Sequence, residues 1–182
     1  MRKKHEKAEK KSAKLEVGLE QEKMIERTFV AIKPDGVQRG LVGRIIERFE
    51  NAGLKIVAMK MVWVEKGFAK KHYKEHVDKP FYKGLEEFIV EGPVVAMVIE
   101  GLHAIDTVRK IVGPTEPKQA APGTIRGDFA HHSYAWTDKK GIAVKNLIHA
   151  SGNEKDAEYE VKLWFGIDEI HDYKTVHEKH VM

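Results

Sequence analysis

Segments with strand-like and helix-like spacing of apolar residues follow one another along this chain, and their order restricts the fold more than any other feature. Four segments are strand candidates: RTFVAIK, LKIVAMKMVWVE, VVAMVIEG and NLIHAS. Helical spacing occurs between them, for example at Val42, Ile45, Ile46 and Phe49. The core order is βαββαβ. This order predicts an α+β fold in which helices pack on one face of an antiparallel sheet.

The chain divides into an extension and one domain. Residues 1–25 are rich in Lys and Glu, contain no aromatic residue and have too few apolar side chains for a core. We predict a charged N-terminal extension, either a solvated helix or a disordered arm, followed by one domain at 26–182. Residues 113–145 are predicted to be a long irregular region, and loops of this length are usually functional or disordered.

The composition excludes several classes of protein. There is no cysteine, which excludes disulfides and thiolate metal sites. The best apolar run, PVVAMVIEGL, is too short to span a membrane and contains Glu100, and the basic amino terminus has no apolar signal-peptide core. We therefore expect a cytoplasmic protein outside the membrane. The net charge of +4 is compatible with an anionic ligand, either a nucleotide or a nucleic acid.

The segment VKNLIHASGN places His149 at the end of an apolar run. Ser151 and Glu154 fit the S-x-x-E capping box, so the next helix is predicted to start at Ser151. His149 then lies between the end of a strand and the start of a helix. Free N–H groups and the helix dipole favour an anion such as phosphate at this position.

A carboxylate on that helix is the expected partner of the histidine. Glu160 falls within the apolar stripe formed by Ala157, Val161 and Trp164. A carboxylate that faces inward needs a hydrogen-bond donor, and an imidazole N–H is a natural one. The pair would be a nucleophile, His149, oriented by Glu160. The alternative is a core histidine with satisfied hydrogen bonds and a surface acid.

Three basic side chains are candidates for contacts with an anionic ligand. Lys33 ends the first strand, and Arg126 lies between glycines in PGTIRGD. Arg109 lies on a predicted helix, but the pattern does not show which way its side chain points. Each is either a phosphate contact or a solvated side chain. The sequence has no P-loop motif, no H-E-x-x-H zinc motif and no G-x-S-x-G nucleophile elbow.

A set of longer motifs narrows these alternatives. ERTFVAIKPDGVQRGLVGRIIERF, KPFYKGL, GPVVAMVIEG, PGTIRGDF and NLIHAS occur in this order. Together they closely resemble the nucleoside diphosphate kinase family over about residues 26–170. The resemblance implies a ferredoxin-like fold and a ping-pong exchange of γ-phosphate between nucleoside tri- and diphosphates. The phosphate would be carried on Nδ1 of His149.

The resemblance also implies the surroundings of the nucleotide. By this resemblance, Lys33 would contact the transferred phosphate and the sugar 3′-hydroxyl, and Asn146 would contact the same hydroxyl. The distal phosphates would be held by Arg109, Thr115 and Arg126. Tyr73 would lie beside the transferred group, Phe81 would stack on the base, and Glu160 would orient His149. Mg²⁺ would bridge the phosphates with no ligand from a protein side chain. A homo-oligomer is expected, either a hexamer or a tetramer.

Two departures from the family pattern are visible. Gly152 replaces the acidic residue usual after the histidine, and residues 130–145 are longer than in the common short form. Two other functions are alternatives to nucleotide phosphoryl transfer. An RNA-binding module of the same topology would need aromatic residues in a pattern that is absent, so no specific nucleic acid is expected. A catalytically dead scaffold is disfavoured because the site residues are retained.

Overall fold

The computed structural model describes residues 24–181, so the predicted extension lies almost entirely outside the described residues. The four strands are β1 (Ile25–Ile32), β2 (Lys55–Trp63), β3 (Pro93–Leu102) and β4 (Ile148–Ala150). The α-helices in the described range are α1 (Pro34–Gln38), α2 (Val42–Asn51), α3 (Lys66–His72), α4 (Tyr82–Ile89), α5 (Ala104–Val112), α6 (Ile125–Phe129), α7 (Tyr134–Lys140), α8 (Glu154–Trp164) and α9 (Glu178–Val181). Between residues 24 and 181, no helix has the length and apolar character needed to cross a bilayer.

The strands form one antiparallel sheet in the order β2-β3-β1-β4. This order and the βαββαβ connections confirm the ferredoxin-like α+β prediction. The short edge strand β4 pairs with the end of β1, where Ala31 lies opposite His149. Since paired residues share a face of the sheet, His149 projects on the same side as Ala31.

Helices cover both faces of the sheet, so the prediction of helices on one face was wrong. Val30 and Ile32 pack with α2 and α5 in one buried cluster. Phe29 and Ala31 pack with Trp164 in a second cluster on the opposite face. The physical reason is that β1 and β3 are central strands whose alternate residues are apolar on both sides. His149 therefore lies on the second face, next to α8.

Several boundaries also differ from the sequence prediction. Strand β1 begins at Ile25, which was assigned to the extension. The region predicted to be an irregular loop contains α6 and α7, each capped by a hydroxyl side chain, Thr124 and Ser133.

The start of α8 corrects another prediction. Asn153, not Ser151, is the N-cap, and its side-chain oxygen accepts from the backbone N–H of Asp156 at 3.0 Å. Ser151 is fully buried, and its hydroxyl is used inside the protein. It therefore cannot cap the helix.

Candidate active site

A cavity of about 1010 Å³ opens beside β4 and α8, and its lining includes Tyr73, just after α3, and Phe81, just before α4. All nine residues predicted for the site line it: His149, Glu160, Lys33, Tyr73, Phe81, Arg109, Thr115, Arg126 and Asn146. They come from segments far apart in the sequence, and the sheet edge brings them together. The structure thus assembles the predicted residues around one space, while their individual roles remain proposals.

His149 lies within β4, where it forms a hydrogen-bonded set with Glu160 and Ser151. Its Nε2 is 2.8 Å from Oε1 of Glu160. The other carboxylate oxygen accepts from the Ser151 hydroxyl at 2.6 Å. Glu160 is buried on the inner stripe of α8, so the inward-facing carboxylate predicted from the sequence is confirmed and the surface alternative is excluded.

This geometry fixes the chemistry of the imidazole. A carboxylate is an acceptor, so it holds the proton on Nε2 and leaves the lone pair on Nδ1. Among the described residues Nδ1 makes no hydrogen bond, and the side chain is 22% exposed to the cavity. The arrangement is that of a nucleophilic nitrogen with an oriented ring.

His72 is a neighbour that the sequence analysis did not single out. Its ring lies 4.7 Å from that of His149, centroid to centroid. Burial, together with the nearby His149, holds the pKa of His72 well below the usual histidine range. His72 is therefore neutral, and its Nδ1 accepts from the indole N–H of Trp164 at 3.2 Å. No sequence pattern signalled this contact, because it depends on packing between distant helices.

Lys33 and Asn146 form a buried pair on one wall of the cavity. Lys33 Nζ donates to Asn146 Oδ1 at 2.8 Å, and the Asn146 amide donates to the carbonyl of Thr115 at 2.9 Å. Burial and the nearby Arg126 guanidinium lower the pKa of Lys33 to about 8. Within the described residues the ammonium has no carboxylate contact, which suits a group that receives an anionic ligand.

The structure gives the surroundings of Arg126 and Arg109, and those of Arg126 differ from the sequence prediction. Arg126 is not in a loop: it lies in α6, is buried, and donates to the carbonyls of Gly113, Asn146 and Ile148. Burial lowers its pKa to about 10. Arg109, whose direction the sequence pattern did not define, points to the cavity near the carbonyl of Ser151. Arg126 thus supports the backbone on either side of Leu147 as well as lining the cavity.

Two aromatic side chains complete the lining. Tyr73 is buried, and its hydroxyl has no hydrogen-bond partner among the described residues. Burial raises the pKa of this phenol, so it remains a donor. Phe81, just before α4, is 56% exposed. The Tyr73 hydroxyl is suited to a polar group of a ligand, and the exposed ring of Phe81 is suited to stack on a flat group.

Comparison with known proteins identifies the family. The family model described as nucleoside diphosphate kinase matches residues 26–170. A nucleoside diphosphate kinase of Pyrococcus abyssi is 56% identical over 81% of this chain and 89% of that protein. One from Archaeoglobus fulgidus is 52% identical over 85% of this chain and 95% of that protein. The chain belongs to the nucleoside diphosphate kinase family. It is a phosphotransferase of nucleotide metabolism.

Solved structures of the family show the same fold. A transition-state mimic of the Borrelia burgdorferi nucleoside-diphosphate kinase, with bound vanadate and ADP, has a TM-score of 0.84 and 45% identity and covers 87% of this chain and 97% of that chain. A nucleoside diphosphate kinase from Halobacterium salinarum in complex with CDP has a TM-score of 0.76 and 46% identity and covers 85% and 96%.

The two departures from the family pattern both border the cavity. A Cβ on Gly152 would lie 2.7 Å from Oδ2 of Asp156. The Asp156 carboxylate, in the first turn of α8, therefore borders the cavity close to Gly152, where the family usually has an acidic side chain. In the longer 130–145 segment, Tyr134, Thr137 and Ile142 form part of the cavity wall.

Proposed function

We propose that this kinase works by a ping-pong exchange in which His149 carries the phosphate between a nucleoside triphosphate and a nucleoside diphosphate. One observation supports this above all others: Glu160 binds Nε2 of His149, so Nδ1 is the nitrogen available in a cavity that Lys33, Arg109 and Arg126 line. Positioning and charge stabilisation are the main requirements of phosphoryl transfer.

In the first half-reaction the Nδ1 lone pair attacks the γ-phosphorus, and the bond from phosphorus to the β,γ-bridging oxygen breaks. The electron pair of that bond leaves with the diphosphate. The ring becomes a phosphorylated imidazolium whose proton stays on Nε2, where the Glu160 carboxylate stabilises the positive charge. The second half-reaction reverses these steps on a new nucleoside diphosphate.

The remaining residues are proposed to hold the nucleotide. Lys33 and Asn146 would bind the sugar 3′-hydroxyl, with Lys33 also on the transferred phosphate, and their existing contact at 2.8 Å places them side by side. Arg109, Thr115 and Arg126 would hold the distal phosphates. The Tyr73 hydroxyl would donate to the transferred group, and Phe81 would stack on the base. Stacking reads no base edge, so broad base tolerance follows.

Mg²⁺ is proposed to be held mainly by the phosphates, where it would offset their negative charge. His72, His149 and Glu160 lie close enough together to resemble a metal site. Their hydrogen bonds argue otherwise, because Nδ1 of His72 accepts from Trp164 and Glu160 accepts from two donors. Magnesium also prefers oxygen ligands to imidazole nitrogen.

The edge strand β2 bears on how the chain assembles. We propose a homo-oligomer, a hexamer or a tetramer. Edge strand β2 exposes Met59, Met61 and Trp63, each more than half accessible, and an apolar row of this kind is usually covered by another chain. We further propose a cytoplasmic enzyme in which the residues before β1, which begins at Ile25, act as an extension outside the kinase domain.

Initial rates of phosphate transfer from ATP to GDP test the mechanism. Parallel double-reciprocal lines at several GDP concentrations are expected, since the two nucleotides never occupy the site together. His149→Ala should abolish transfer. His131→Ala, a histidine outside the cavity lining, should keep it. Intersecting lines, or an active His149→Ala variant, would overturn the proposal.

A further inference from the structure

The chain makes an unusual turn immediately before His149. Leu147 has a φ of 73° although it is not glycine, and the N–H of Ile148 donates to the carbonyl of Asn146 at 2.8 Å. A bond between residues two apart around a central positive φ defines a γ-turn of the rare, strained kind. Leu147 is fully buried, so its backbone N–H and carbonyl must find their partners within the protein.

A buried carboxylate holds this turn. Oδ2 of Asp35 accepts from the N–H of Leu147 at 3.0 Å, and Asp35 is only 4% exposed. The carbonyl of Leu147 accepts from the backbone N–H of Lys33 at 2.8 Å. Asp35 and Lys33 flank Pro34, the first residue of α1, so one short segment binds both the N–H and the carbonyl of Leu147.

Close approach of α1 to the turn depends on glycine. A Cβ on Gly36 would meet Cγ2 of Ile32 at 2.7 Å and the carbonyl oxygen of Leu147 at 3.0 Å. Arg126 supports the other side of the turn by donating to the carbonyls of Asn146 and Ile148. Strained backbone of this type persists only where the surroundings over-determine it, and it clusters at functional sites.

The turn separates two groups of the proposed site. Asn146, at its start, contacts Lys33 through its side chain. Ile148, at its end, begins β4, which holds His149 opposite Ala31. A relaxed Leu147 would change the direction of the chain between these two groups. Their relative placement is therefore set by the turn and by what holds it.

We propose that Asp35 is a positioning residue for phosphoryl transfer: it clamps Leu147 in the strained turn and so fixes Asn146 relative to His149. The proposal rests on the proposed function. The acting group is the acceptor oxygen Oδ2. The other oxygen, Oδ1, is buried and has no hydrogen-bond partner among the described residues. An asparagine, whose carbonyl can accept the same bond, should therefore replace the carboxylate.

The test is single-turnover phosphorylation of the full chain by ATP, with nucleotide affinity measured separately. Asp35→Ala should lower the rate roughly 100-fold, the scale expected when reacting groups are displaced by about 1 Å. Its affinity for ADP should change little, and the NMR signal of the His149 Nε2 proton should shift. Asp35→Asn should recover most of the rate.

Glu100→Ala is the matched control, since it removes another buried carboxylate that bonds Lys55 and Arg27 outside the cavity lining. It should lower stability and leave the phosphorylation rate unchanged. A folded Asp35→Ala variant with the wild-type rate would overturn the proposal. So would equal losses in Asp35→Ala and Asp35→Asn, which would make charge the cause.

If the Asp35→Ala variant does not fold, the test uses the Asp35→Asn variant. Its phosphorylation rate is measured together with the hydrogen exchange of its Leu147 amide. A near wild-type rate with that amide protected supports the clamp. A large loss of rate with the amide still protected overturns it. Wild-type protein that ATP does not phosphorylate would instead refute the proposed function, so the two failures are distinguishable.

Discussion

At the scale of single residues, Glu160 shows why the site needs a carboxylate. Its two oxygens accept from two different donors, His149 Nε2 and the Ser151 hydroxyl. An amide has one acceptor oxygen, so Glu160→Gln would leave one donor unsatisfied or turn an NH₂ towards the ring. The second outcome would favour the wrong histidine tautomer.

We therefore expect Glu160→Gln to slow phosphorylation of His149 by at least about 100-fold, in line with the loss of tautomer control in other histidine sites. Ser151→Ala is the matched comparison. It removes one hydrogen bond to Glu160 and leaves the carboxylate, so its effect on the rate should be smaller. Rapid-quench measurements on both variants decide the point, and a Glu160→Gln rate equal to wild type would contradict it.

Lys33 gives the site a pH dependence. Its pKa of about 8 means that the ammonium loses its proton as the pH rises through that value. Nucleotide phosphate should raise the pKa of Lys33 again, so at about pH 8 and above binding takes up protons and the affinity falls as the pH rises. Titration calorimetry of ADP in buffers of different ionisation enthalpy measures this uptake. Lys33→Gln should abolish it, and an absence of uptake in the wild type would refute the assignment.

The same pKa shift acts on stability without ligand. The unfolded chain has the ordinary lysine pKa of 10.5 and binds the proton more tightly than the folded chain. Between about pH 10.5 and 8, stability therefore falls as the pH falls, and below 8 the penalty is constant. Bound phosphate offsets this cost.

Residues were predictable from the sequence where a local pattern exposed them. Glu160 stood out because a charged residue interrupted an apolar stripe, and His149 because it ended an apolar run. Asp35 did not stand out, because the residue it contacts, Leu147, is 112 positions away. His72 was hidden for the same reason, since its burial comes from helices that meet only in the folded protein.

At the scale of elements, the start of α8 shows how tertiary contacts override a local motif. Ser151 fits the capping pattern, yet its hydroxyl bonds Glu160 and the backbone of Phe29 inside the sheet. Asn153 takes the capping role. The four-residue motif alone could not distinguish these uses of one side chain, because the competing partners lie on β1 and on the second turn of α8.

Asn153→Ala should lower the free energy of unfolding by about 1 kcal/mol, the usual cost of losing an N-cap. Asn153→Ser, which retains a capping oxygen, should lie close to wild type. Chemical denaturation of the three proteins provides the comparison. If alanine and serine destabilise the protein equally, the cap is not the source of the effect.

At the scale of the whole molecule, the sheet separates two cores and carries the site on one side of its edge. The sequence order predicted the strands and their antiparallel pairing. It did not predict that both faces are covered, because the pattern of a central strand is apolar on both sides and carries no preferred face. Helices α6 and α7 were missed because their short lengths give little periodicity.

The proposed mechanism depends on a phosphate that passes through His149. The most direct measurement is to mix the protein with ATP labelled in its γ-phosphate, without an acceptor, and to map the labelled peptide. We predict an acid-labile, base-stable label on His149 that GDP removes as labelled GTP at the rate of steady-state exchange. Label on another residue, or exchange without a labelled enzyme, would contradict transfer through His149.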